Sequence, residues 1–145
     1  MNYMTESELF LIDTNLLVYA AEKDQSDKAQ KSKDLVNKCW RGEEILAVSC
    51  QNLAEFVFAT TRKAKLNLEE AKVFAGFIAE FNGFKKIEYN ANTVLSAIEI
   101  ANEFKTSFWD SLLAATMREN GIFNIYTENV NDFKIPWIKA VNPLK

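Results

Sequence analysis

The sequence predicts a three-layer α/β/α domain with a central, mainly parallel five-stranded sheet. Short apolar runs alternate along the chain with longer amphipathic segments, and parallel strands need crossover connections of that length. Gly and Pro are scarce, and nearly half of the residues are apolar, so the chain reads as globular throughout. Its 145 residues are enough to bury one core and too few for two ordinary domains, so residues 1–145 are taken as a single domain.

Residues 9–12 form an apolar run ending at Asp13, and residues 45–48 form another ending at Ser49 and Cys50, both read as buried strands. Residues 15–21 and 27–40 between them read as helices, with Gly42 as a stop. Residues 53–62 and 68–81 form a helical hairpin, the second helix carrying Ala71, Phe74, Ala75 and Ile78 at helical spacing before Asn82 and Gly83. A weaker strand over 84–89 precedes a helix with Val94, Ala97, Ile98 and Ala101 on one stripe. Ser107 opens a last helix that reaches Asn120 and is closed by Gly121, and residues 123–126 and 138–141 supply the final strands.

Composition narrows the chemistry. The chain has no histidine, which removes Ser-His-Asp and Cys-His catalysis and His-ligated metals. Cys39 and Cys50 do not form a C-x-x-C pair, so neither zinc site nor redox motif is read. A net charge of -3 argues against broad adhesion to nucleic acid and leaves room for a basic protein partner. No apolar stretch is long enough for a membrane span, and residues 1–8 carry acids where a secretory signal carries basic residues, so a cytoplasmic protein is expected.

Carboxylates therefore carry the functional argument. Asp13 follows a buried strand directly, where ligands of parallel sheets collect, although Asp also caps helices. Asn15 could take that cap instead. Glu55 has capping-box spacing from Asn52, yet shares its helical face with Phe58 and Ala59. Asp110 likewise has capping-box spacing from Ser107, yet heads the apolar stripe Leu113, Ala114 and Met117 near a helix N-terminus. After the fourth strand, Thr127, Glu128, Asn129 and Asp132 supply hydroxyl, amide and acid oxygens, and either Asp132 or Glu128 could turn inward. Acids at strand ends and helix starts on one side of a parallel sheet converge in one cleft. Clustered carboxylates repel unless a cation neutralises them, and oxygen-only donors suit Mg²⁺ or Mn²⁺, which points to phosphodiester hydrolysis.

These residues resemble the PIN-domain nucleases, and among them the VapC-type toxins of toxin-antitoxin pairs, over nearly the whole chain. The likeness rests on Leu11-Ile12-Asp13-Thr14-Asn15, on Asn52 to Phe56 with its single Glu, on Ser107 to Ala115, and on Thr127-Glu128-Asn129 with Asp132-Phe133. It implies that Asp13, Glu55 and Asp110 bind metal, that Asp132 completes the cluster, and that Asn15 and Thr127 orient the acids. It further implies RNA as substrate, a homodimer, and a cognate antitoxin that wraps the toxin and blocks the acidic cleft. Many relatives have an acid where this chain has Asn129, so one firmly held Mg²⁺, with a second recruited by substrate, is expected.

Arg62, Lys63 and Lys65 could contact phosphates or form a solvated helix end. Trp109, Phe108 and Trp137 could stack on bases or pack the core. Two other functions remain readable. One is a non-catalytic binding module of the same fold with its acids used as caps. The other is an aspartyl-phosphate phosphatase, disfavoured because that pattern wants Asp where position 15 is Asn.

Overall fold

A computed structural model describes residues 9–145; the acidic stretch 1–8, read above against a secretory signal, lies outside the described residues. The chain runs β1 (Phe10–Ile12), α1 (Thr14–Ala20), α2 (Asp27–Trp40), β2 (Leu46–Ser49), α3 (Cys50–Arg62), α4 (Leu68–Glu80), β3 (Phe84–Ile87), α5 (Ala91–Phe104), α6 (Phe108–Glu119), β4 (Asn124–Tyr126), a short 3-10 helix (Val130–Phe133) and β5 (Lys139–Val141). The five strands lie in the order β3-β2-β1-β4-β5, and every neighbouring pair is parallel.

Side chains alternate across the sheet with period two. Ile12, Leu46 and Val48 face a core shared with Leu16 and Leu17 of α1, Leu35 and Val36 of α2, and the α3–α4 hairpin. Leu11, Ala47 and Ile125 face the opposite core, with Leu113 and Met117 of α6. Both faces of the sheet are thus covered, as an all-parallel sheet requires. Phe56 of α3 stacks on Phe74 of α4 at 4.9 Å between ring centroids, which fixes the hairpin.

Helix boundaries differ from the sequence reading where capping chemistry was misassigned. The first helix begins at Thr14 with Asp13 as its N-cap, not at Asn15. The third begins at Cys50 rather than Leu53, because the buried Ser49 hydroxyl accepts the Asn52 N–H while Asn52 Oδ1 accepts the Ser49 N–H. This reciprocal box occupies Asn52 and frees Glu55 from capping. On α5 Ala97 is buried and Val94 packs against the same core as expected, whereas Ile98 is exposed and Thr93 and Ile100 complete the buried face. Strand β3 ends at Ile87, two residues short of the predicted end. Gly42 and Gly121 stop their helices as predicted, each at the positive φ that glycine adopts without strain, 73° and 68°.

Order in the sheet also creates a place for a ligand. From β1 the chain moves outward through β2 to β3, then crosses back to β4 on the other side of β1. The carboxyl ends of β1 and β4 therefore flank a topological switch point, the usual crevice for ligands in open α/β sheets.

Candidate active site

Asp13 and Thr127 are the residues immediately beyond the paired ends of β1 and β4, where Ile12 lies opposite Tyr126. One carboxylate oxygen of Asp13 accepts the Thr14 N–H at 2.8 Å, capping α1, and the other accepts the Thr127 hydroxyl at 2.8 Å. Cap and site are thus one role here, not alternatives. The Thr127 hydroxyl itself accepts the Asn129 N–H at 3.0 Å, so its own hydrogen is left to point at Asp13.

Glu55 reaches the same cleft from α3. Its carboxylate accepts the Thr14 hydroxyl at 3.2 Å, and Thr14 Oγ1 accepts the side-chain amide of the buried Asn52 at 3.0 Å. A relay thereby runs from α3 to α1 and back to Glu55. Of the neighbours expected on its helical face, Ala59 lines the cleft with it, whereas Phe58 is turned to solvent beneath Arg62. Asp110 arrives from the first turn of α6. The Ser107 hydroxyl accepts the Asp110 N–H at 3.1 Å and donates to its carboxylate at 2.9 Å, while Leu113, Ala114 and Met117 below it are buried.

Asp13, Glu55 and Asp110 line a single cleft of about 420 Å³. Burial pushes all three carboxyls above their ordinary values, and their mutual repulsion adds to it for Asp13 and Glu55. The charge of Asp132 raises Asp13 and Asp110 further. Hydrogen bonds from Thr127, Thr14 and Ser107 oppose these effects without cancelling them. None of the three acids is ion-paired among the described residues.

The remaining expected residues are less uniform. Asp132 is exposed in the 3-10 helix and stands outside the cleft lining, acting on the cluster through its field. Glu128 is turned away: it accepts the Tyr19 hydroxyl at 2.7 Å and pairs with Lys28 at 2.6 Å, which holds its carboxyl below the usual range. Asn129 takes the place beside the cleft. Asn15 also lines it; its side-chain oxygen is buried without a hydrogen-bond partner among the described residues, and no hydrogen bond from its amide nitrogen to an acid is seen there.

Lys63 and Lys65 line the cleft from the far end of α3, Lys65 paired with Glu22, whereas Arg62 lies 5.6 Å over the Phe58 ring. Trp137 packs edge-on against Phe104, and Phe108 packs against the α5–α6 core, so both aromatics are structural; Trp109 is 59% exposed. Sequence reasoning missed Thr14, Asn52 and Gln51. The first two show only as a hydroxyl after Asp13 and an amide three residues before Glu55, and their meeting spans 38 positions.

The donor set fits a hard divalent cation in its chemistry: carboxylate and amide oxygens, uncompensated negative charge, and orphaned side-chain oxygens on Asn15 and Gln51 beside the acids. Among the described residues no three acids stand close enough to close on one ion by themselves, so the cleft is an open one.

A parallel α/β/α domain with an acidic cleft at its switch point defines the class of protein, and the sequence assigns the family. Residues 10–134 match the PIN domain, and the chain belongs to that family. Comparison with curated protein sequences gives no match. Among solved structures the chain is similar to Mycobacterium tuberculosis VapC20, described as a Sarcin-Ricin loop cleaving toxin, at 20% identity and a TM-score of 0.64 over 81% of this chain and 88% of that one. It is similar to VapBC2 from Rickettsia felis bound to a DNA fragment from their promoter, at 18% identity and a TM-score of 0.66 over 92% and 98%. A toxin-antitoxin complex from Klebsiella pneumoniae matches at 18% identity and a TM-score of 0.65 over 92% and 97%.

Proposed function

We propose that this chain is a Mg²⁺- or Mn²⁺-dependent endoribonuclease and the toxin of a toxin-antitoxin pair. The observation that carries the reading is the meeting of Asp13, Glu55 and Asp110 from three separate elements in one cleft, their carboxyls pushed up by burial and none of them ion-paired among the described residues. Those three would hold the cation, with Asp132 and Asn129 at the rim. A bound divalent ion supplies charge neutralisation and activation of water for in-line attack on a phosphodiester.

The rest of the work falls to the chain itself. Thr127 and the Thr14–Asn52 relay hold two of the acids in fixed orientations, as hydrogen-bonded neighbours of ligating carboxylates do. Lys63, with no ion pair among the described residues, offers a charge to a substrate phosphate at the other end of the cleft. The described residues contain no helix long and apolar enough to cross a membrane. An antitoxin partner is supported by the relatives solved as VapBC or toxin-antitoxin complexes, and by a groove of Ala21, Leu66, Val73, Phe74 and Phe77 edged by Glu69 and Glu70. Such a groove suits an apolar segment with basic flanks. A homodimer belongs to the same reading and is checked by the mass in solution.

Cleavage of structured and single-stranded RNAs by the purified protein, with Mg²⁺, with Mn²⁺ and with chelator, tests the activity. Metal-dependent cutting lost in both Asp13→Ala and Asp110→Ala is the expected result. No cutting by the wild type, together with no stabilisation by Mn²⁺, would make a binding module the better account.

A further inference from the structure

Gln51 occupies the first turn of α3, one helical turn before Glu55 and on the same face. Only 7% of it is exposed, an unusual setting for a glutamine, and it lines the acidic cleft. Its amide nitrogen donates to the backbone carbonyl of Trp109 at 3.0 Å, and Trp109 immediately precedes Asp110. It lines the cleft beside Glu55 and holds the backbone next to Asp110, bridging helices that cover opposite faces of the sheet.

Its oxygen completes the picture. Because the Trp109 carbonyl can only accept, the amide must present its nitrogen there, and Gln51 Oε1 is left buried with no partner among the described residues. A buried acceptor without a donor is costly, and a methionine would fill the same space without that cost. The amide is therefore poorly explained by packing and well explained by a partner that arrives in the cleft, either a cation or a water bound to one.

We infer that Gln51 is a positioning residue that sets the spacing of Glu55 and Asp110 for one divalent cation and is itself completed when the cleft is filled. The inference rests on the cation-dependent reading above. Residues that orient metal ligands typically change affinity by about 10- to 100-fold when lost, and that range applies here.

The test is the rise in thermal unfolding midpoint of the full chain as Mn²⁺ is titrated, compared among wild type, Gln51→Met and Gln51→Asn. Methionine keeps the length and loses the amide; asparagine keeps the amide and loses the reach. Both variants are expected to unfold cooperatively and to need at least about tenfold more Mn²⁺ for the same stabilisation. Folded variants with the wild-type Mn²⁺ dependence would overturn the inference, and so would loss of cooperative unfolding in both, which would mark Gln51 as a brace only. A wild type that does not respond to Mn²⁺ would instead remove the cation site itself, and the inference with it.

Discussion

Asp13 and Glu128 lie on either side of Thr127, one accepting its hydroxyl and the other following it in sequence, yet their settings are opposite. Glu128 is met by Lys28 and Tyr19, and its carboxyl is held below the ordinary range. Asp13 is buried with hydrogen-bond donors but no ion-pair partner among the described residues, and burial pushes its carboxyl up. A paired acid has its electrostatic needs met by the fold. An unpaired buried acid weakens the fold when ionised, and that cost is recovered only when something positive binds.

The two settings have opposite linkage to pH. Below its ordinary pKa Asp13 is protonated in folded and unfolded chains alike, and its raised folded value means that stability is lost as pH rises through that value. Glu128 is the reverse: its contribution is present above the ordinary carboxylate pKa and lost as pH falls through its lowered folded value.

Removing the charge of the unpaired acid has the largest expected effect. Asp13→Asn should reduce RNA cleavage by at least about 100-fold, while metal-free stability at neutral pH does not fall, since asparagine still caps α1 and the buried charge is gone. Initial rates and chemical denaturation without metal check the two halves. Thr127→Val removes the donor to Asp13 and the acceptor of the Asn129 N–H while leaving every acid in place. It should slow cleavage about tenfold and cost roughly 1–3 kcal/mol in urea unfolding.

At the cationic end of the cleft, Lys63→Ala should lower the slope of log affinity against log salt by about 0.7 for single-stranded RNA, as loss of one phosphate contact does. Fluorescence anisotropy on an Asp110→Asn background reads it without cleavage. Glu128→Gln has the smallest effect, less than about 1 kcal/mol and a change in cleavage below about twofold. A large loss of activity in that variant would break the contrast between paired and unpaired acids.

Most of the architecture was legible because strands and helices carry their own periodicity. Leu11 and Ile12 ahead of Asp13, and Leu113 and Met117 behind Asp110, announce buried mounts for the acids of the cleft. Glu55 was obscured by a false partner: the spacing from Asn52 suits a capping box, but Ser49 had already claimed Asn52. The relation of Glu128 to Tyr19 spans 109 positions, and no local pattern reveals it. Gln51 was hidden for the same reason, since its partner Trp109 lies 58 positions away.

The central claim is that the cleft acids are left uncompensated for a divalent cation. Calorimetric titration of Mn²⁺ into the wild-type chain, repeated in buffers of different ionisation enthalpy and at pH values from about 5 to 7, tests it most directly. The account predicts saturable binding that tightens with rising pH and releases protons at the acid end, and its loss in Asp13→Asn. Binding that is absent, or that is unchanged by Asp13→Asn, would contradict it.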